Sequence, residues 1–134
     1  YSTGKRDMSV NHVKRVMLVA AVIFVAACGK SAAPPVSFSA DVKPILDQYC
    51  LECHTRESPG YAASGFSVEN YEDLMKGTKF GPTVIAGDAF NSNLMILIEG
   101  RADPTIAMPH DGTKVYTAHA ETPRTWIEQG APNN

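Results

Sequence analysis

Cys50, Cys53 and His54 fall in the stretch YCLECHTRE and account for two of the three cysteines in the chain. Cys-x-x-Cys-His is the attachment sequence for c-type haem. The spacing has a physical cause. Two thioethers must reach two vinyl positions on one porphyrin edge, and the next residue must turn its imidazole under the ring to bind iron. Two other chemistries use a Cys-x-x-Cys pair. A thioredoxin-type dithiol expects a βαβ setting, and no alternating β-branched run stands nearby. A zinc site wants a second ligand pair. Only His110 and His119 remain downstream, nine apart, wider than the usual spacing.

Haem iron takes a sixth ligand or leaves the site open, and Met/His ligation raises the potential. The candidates are Met75, Met95, Met108, His110 and His119. Met95 in NSNLMILIEG reads as core. Met75 follows Leu74 on a buried helix face, and His119 reads as a surface residue. Met108 lies in ADPTIAMPHDGT between Pro104 and Pro109, which disfavour regular structure. Pro109 also restricts Met108 to an extended backbone, a stiff mount for a thioether. Met108 follows His54 by 54 residues, enough for two helices and a return to the other haem face. Met108 is therefore the expected distal ligand. His110 is the alternative, and an exchangeable site is the third possibility.

The elements that must hold these groups read as helical. Ser39 or Asp41 can cap a first helix running into the haem motif, with Pro44 in its opening turn. Its apolar stripe is Phe38, Val42, Ile45, Leu46 and Tyr49. A second helix is expected from Ser67 to about Lys76 with Gly77 as its stop, and a third from Ser92 to Glu99. Pro123 interrupts YTAHAETPRTWIEQG, and a proline within a helix costs about 3 kcal/mol or more. A short last helix over 123–129, preceded by a loop at 116–121, is the expectation. The region around Pro82 is the expected acceptor for the second N–H of His54. Lys79, Arg101 and Arg124 could each meet a haem propionate, although solvated surface charge explains any one of them as well.

Upstream, residues 8–27 have the layout of an export leader. Lys14 and Arg15 precede an apolar core of 12 residues, Val16 to Ala27. That core is shorter than the roughly 18 residues needed to span a bilayer. VAAC resembles a bacterial lipobox, in which Cys28 would be lipidated and become the first residue. Residues 1–7 read as translated upstream sequence, residues 28–37 as a flexible tether carrying Pro34–Pro35, and residues 38–134 as one domain. A chain of 134 residues with 44% hydrophobic content has room for little more. The formal charge is −2. Removing the residues before Cys28 takes away Lys5, Arg6, Lys14, Arg15 and Asp7 and leaves −5. Nothing here resembles the basic excess of a nucleic-acid-binding protein.

The phrases FSADVKPILDQYCLECH, GFSVENYEDLMKG, GPTVIAGDAFNSNLMILIEG, MPHDG and WIEQGAP together resemble the small class I-type cytochrome c domains of bacteria, in particular the planctomycete type. The resemblance implies an all-α fold of about four short helices with long loops around one covalently attached haem c. It implies haem attachment at Cys50 and Cys53, a proximal His54 and a distal Met108. It also implies that the first and last helices cross, with Trp126 packed in the crossing. The expected activity is one-electron transfer with transient redox protein partners. The expected setting is a monomer at the periplasmic or outer face of a bacterial membrane, tethered by lipid at Cys28. A haem-based sensor and an electron-accepting dehydrogenase subunit are the alternatives. No catalytic constellation is visible, so a non-enzyme is expected.

Overall fold

Lys43 donates its backbone N–H to Phe38 O, five residues back, so the first helical turn, Phe38–Val42, is π-helical. That widened turn sits just ahead of Pro44, which has no N–H to give and whose ring crowds the carbonyl four residues behind it. The run continues as helix α1, Lys43–Tyr49, with Pro44 in its first turn. Ser37 caps it, in place of the expected Ser39 or Asp41. Its hydroxyl accepts from Ala40 N at 3.2 Å, and Asp41 Oδ2 accepts from Ser37 N at 2.8 Å. Asp41 thus completes a reciprocal cap from inside the helix.

This computed structural model describes residues 33–110, Val115 and residues 117–134. The expected leader, Cys28, the first part of the tether and Tyr116 lie outside the described residues. The described chain is all-α with long loops; its only β feature is an isolated bridge between Thr78 and Gly81. Among the described residues no helix is long and apolar enough to cross a membrane.

Four helices follow α1: α2 (Pro59–Ser64), α3 (Tyr71–Lys76), α4 (Asn93–Ile98) and α5 (Thr117–Glu128). Sequence reasoning missed α2, although its signals are present. Ser58 caps it, Pro59 opens it, and Gly65 closes it in the left-handed region at φ 74°. Helix α3 starts later than expected. Asn70 caps it, accepting from Asp73 N at 2.8 Å. Residues 67–69 stay outside it because Val68 N is spent on His54 O at 3.0 Å. Gly77 ends the helix as expected. Ser92 stands at the N-cap position of α4, but its hydroxyl accepts from Ile85 N and donates to Asp88 O, fastening the preceding loop instead.

The expectation of a short last helix was wrong. Helix α5 runs unbroken through Pro123. The Pro123 ring is fully buried, so its apolar burial offsets the backbone bond it forfeits. Near the start of α5, His119 Nδ1 meets the Tyr49 hydroxyl at 2.9 Å, which holds the turns before the proline to α1. His119, expected at the surface, is therefore half-buried and tied.

The core joins Phe38, Val42 and Leu46 to Leu74, Leu94, Met95, Trp126 and Ile127. Trp126 is fully buried, with ring centroids 5.5 Å from Phe38 and 6.3 Å from Tyr71. Its indole N–H donates to Pro132 O at 2.9 Å. Met95 is core, as expected, and Met75 packs at the core's edge. Among the described residues one buried hydroxyl, Thr83 Oγ1, has no hydrogen-bond partner. Desolvating a hydroxyl without a partner costs about 1–3 kcal/mol. The isosteric Thr83→Val should therefore raise stability by about 1 kcal/mol, read as a melting temperature higher by roughly 4–8 °C.

Candidate functional site

The Cys50–His54 turn grows directly out of α1. Cys50 N and Leu51 N both bond to Leu46 O, at 2.9 and 3.0 Å. Cys53 N and His54 N then bond to Cys50 O at 3.1 and 3.0 Å. This coil keeps the two cysteines and the histidine within about one and a half helical turns. Cys50 and Cys53 are free thiols, Cys50 half-buried and Cys53 exposed. Burial, with the charges of Asp47 and Cys53 adding to it, pushes the Cys50 thiol up to about 11.

His54 Nδ1 lies 3.4 Å from the Phe66 carbonyl oxygen. A carbonyl only accepts, so Nδ1 carries the proton and Nε2 is left with a free lone pair. This corrects the expected acceptor near Pro82. The Pro82 carbonyl is taken by Asn93 Nδ2 at 3.1 Å instead. The Phe66 ring stands edge-on to the imidazole, with centroids 5.1 Å apart. Burial lowers the His54 pKa; the Phe66 bond opposes the shift, and the charge of His110 adds to it. The ring is thus held neutral, the form that binds metal.

A second layer braces the turn. Ser58 Oγ lies 2.5 Å from Cys53 O and 2.7 Å from Thr55 O. Glu69 Oε2 accepts from Arg56 N and from Ser67 Oγ, both at 3.0 Å. The Arg56 guanidinium bonds Asp73 at 2.7 and 2.9 Å and holds that carboxyl below its ordinary value. Gly60 permits the closest approach. A Cβ there would lie 2.1 Å from Cys53 O and 3.2 Å from His54 Cε1. Sequence reasoning missed Phe66, Ser58 and Gly60. Only the Ser58–Pro59 cap signal was available to point at any of them.

Met108 is half-buried in the irregular segment Arg101–His110, and the Met108–Pro109 peptide bond is cis. His110, at the end of this segment, is close enough for its charge to lower the His54 pKa. His119 is held elsewhere, at Tyr49. Of the three cations considered for propionates, Arg101 and Arg124 both pair with Glu99. Lys79 lies over the Phe80 ring at 5.1 Å. Cys28 lies outside the described residues.

Residues 50–112 match the family model described as Planctomycete cytochrome C. No curated protein and no solved structure matches the chain. The matched stretch runs from the first motif cysteine past Met108 and His110. The residues present suit the haem this family binds. Two unpaired thiols stand at attachment spacing, and one neutral imidazole has its second nitrogen committed to a carbonyl.

Proposed function

Because residues 50–112 are a planctomycete-type cytochrome c-like domain, we propose that this protein is a mono-haem c-type cytochrome that carries single electrons between protein partners. The haem supplies a one-electron couple at its iron. Cys50 and Cys53 would hold it covalently, and His54 Nε2 and Met108 would be its iron ligands. The observation that carries this reading is the His54 ring, fixed by Phe66 O through Nδ1 so that Nε2 is the nitrogen left for a metal. The chain's task would be to keep that ring neutral and oriented, supply the Met108 sulfur as the second ligand, and keep water from the metal.

The protein acts as a carrier and not as an enzyme, since two protein ligands leave no position for a substrate. The leader-like residues 8–27 and the lipobox at Cys28 support export and a lipid anchor at the periplasmic or outer face of a membrane. A tethered monomer meets membrane-associated partners at raised effective concentration. Its docking is weak and transient, because a carrier must leave after transfer. The acidic balance after Cys28 suits partners with neutral or basic faces, and gives no footing for nucleic acid.

Intact mass and a denaturing gel of the exported protein test the reading. One haem should stay on the polypeptide through denaturation, and Cys50→Ala/Cys53→Ala should lose it. A polypeptide without added haem mass overturns the proposal. A high-spin spectrum that shifts with carbon monoxide would replace the carrier with a ligand-binding sensor.

A further inference from the structure

Glu99, at the end of α4, holds a different cation on each carboxylate oxygen. Its Oε2 accepts from Arg101 Nε at 2.8 Å, and its Oε1 accepts from the Arg124 guanidinium. Arg101 is the first residue of the irregular segment that carries Met108, and Arg124 lies on α5, the helix after that segment. Glu99 is the most enclosed of the three, its side chain 17% exposed against 31% for Arg101 and 27% for Arg124. At that depth solvent and salt screen an ion pair less than at the open surface. Arg101 is held twice more. Its guanidinium lies 4.8 Å from the centroid of the exposed Phe90 ring, and its backbone N–H donates to Ile96 O at 2.9 Å.

The hold extends along the segment. Asp103 Oδ1 accepts from Thr105 N at 2.9 Å and from Thr105 Oγ1 at 2.6 Å, and Asp103 O accepts from Ile106 N at 3.0 Å. Residues 103–106 are therefore a closed turn, with Pro104 fixing one of its φ angles. Ala102 alone separates that turn from Arg101, and Ala107 alone separates it from Met108. We propose that Glu99 is a positioning residue for Met108: by clamping Arg101 to Arg124 it anchors the start of the Met108 segment to α5. The inference rests on the reading of Met108 as the distal ligand. A segment with few fixed points opens locally at little cost, and its side chains then leave their partners more often. A competing small ligand binds such a protein with an apparent affinity that rises with the fraction of open sites. The clamp thus acts on how firmly the thioether stays in place, without touching the metal.

The test titrates the haem-loaded protein with imidazole and follows the loss of the long-wavelength sulfur-to-iron band. Glu99→Gln keeps the size of the side chain and removes its charge. Apparent imidazole affinity should rise roughly five- to tenfold, the loss of about one net hydrogen bond. Arg101→Lys keeps a cation but gives up the planar guanidinium, so its affinity should fall between those of the unaltered protein and Arg101→Ala. Tyr71→Phe is the control for stability alone. It deletes the bond from the Tyr71 hydroxyl to Ala131 O, 2.9 Å long and outside the segment. It should lower the thermal midpoint and leave imidazole affinity unchanged. If Glu99→Gln leaves the affinity unchanged, or if Tyr71→Phe raises it as much, the positioning role is overturned. Exchange of the Ile106 amide separates that failure from failure of the ligand reading, because it follows the segment whichever side chain binds iron. It should speed up in Glu99→Gln, and unchanged exchange overturns the clamp. A Met108→Ala protein with an unaltered spectrum overturns the distal assignment and the positioning of Met108 with it, while faster Ile106 exchange in Glu99→Gln still supports the clamp.

Discussion

Gly60→Ala should sharply reduce the yield of haem-loaded protein. Two effects act at this position with opposite sign. Gly60 lies inside α2, where alanine is favoured by about 1 kcal/mol from helix propensity. Against that, the new Cβ would sit 2.1 Å from the Cys53 carbonyl oxygen. The obstructing atom is backbone in the haem motif itself and has no rotamer to escape into. The cost should exceed the ~1–3 kcal/mol of ordinary overpacking. Relief must come from moving the Cys50–His54 turn or unwinding α2, and either loosens the His54–Phe66 bond. The measurement is haem absorbance per polypeptide together with the thermal midpoint. Ala63→Ser, at an exposed site in the same helix, is the reference variant. If Gly60→Ala loads haem as well as the unaltered protein and melts higher, the tight packing of α2 on the motif is refuted.

Met108→Ala should remove the sulfur ligand while leaving the haem covalently attached. The oxidised protein should lose its long-wavelength sulfur-to-iron band. The potential should fall by on the order of a few tenths of a volt, within the ~0.8 V that axial ligands span, because a thioether favours the reduced iron. His110→Ala separates the alternatives. It should leave band and potential nearly unchanged if Met108 is the ligand. If His110→Ala abolishes the low-spin spectrum and Met108→Ala does not, the distal assignment passes to His110. The two side chains lie two residues apart in one segment, and the charge of His110 reaches His54. Direct comparison of the two variants is therefore the discriminating measurement.

Local rules located the Cys-x-x-Cys-His motif, the all-α class and the C-terminal ends of α1, α3, α4 and α5, but misplaced the starts of α1, α3 and α5 and missed α2. Cys-x-x-Cys-His needs no tertiary help, because its spacing already encodes the reach of two thioethers and an imidazole. The stop at Gly77 and the core role of Met95 depend on positive φ and apolar periodicity, which one segment carries by itself. Two failures came where a distant group prevailed over the local one, whereas α2 and the Ser37 cap had their signals within the segment itself. Ser67 looked like a helix cap, but Val68 N is drawn to His54 O, and the helix waits for Asn70. Pro123 looked like a helix start, but burial of its ring and the Tyr49–His119 bond carry α5 across it.

The sequence by itself carried the cytochrome c-type motif, the helical class and the candidates for binding iron, because these follow from residue types at short range. The tertiary structure decided which carbonyl orients His54, which glycine makes room for the motif, and how the linker docks. Each of those joins segments far apart in the chain, up to 95 residues for Pro34 and Gln129. Sequence spacing carries no information about which of several carbonyls or amides will come to lie within 3 Å, since packing of the shared core sets that choice.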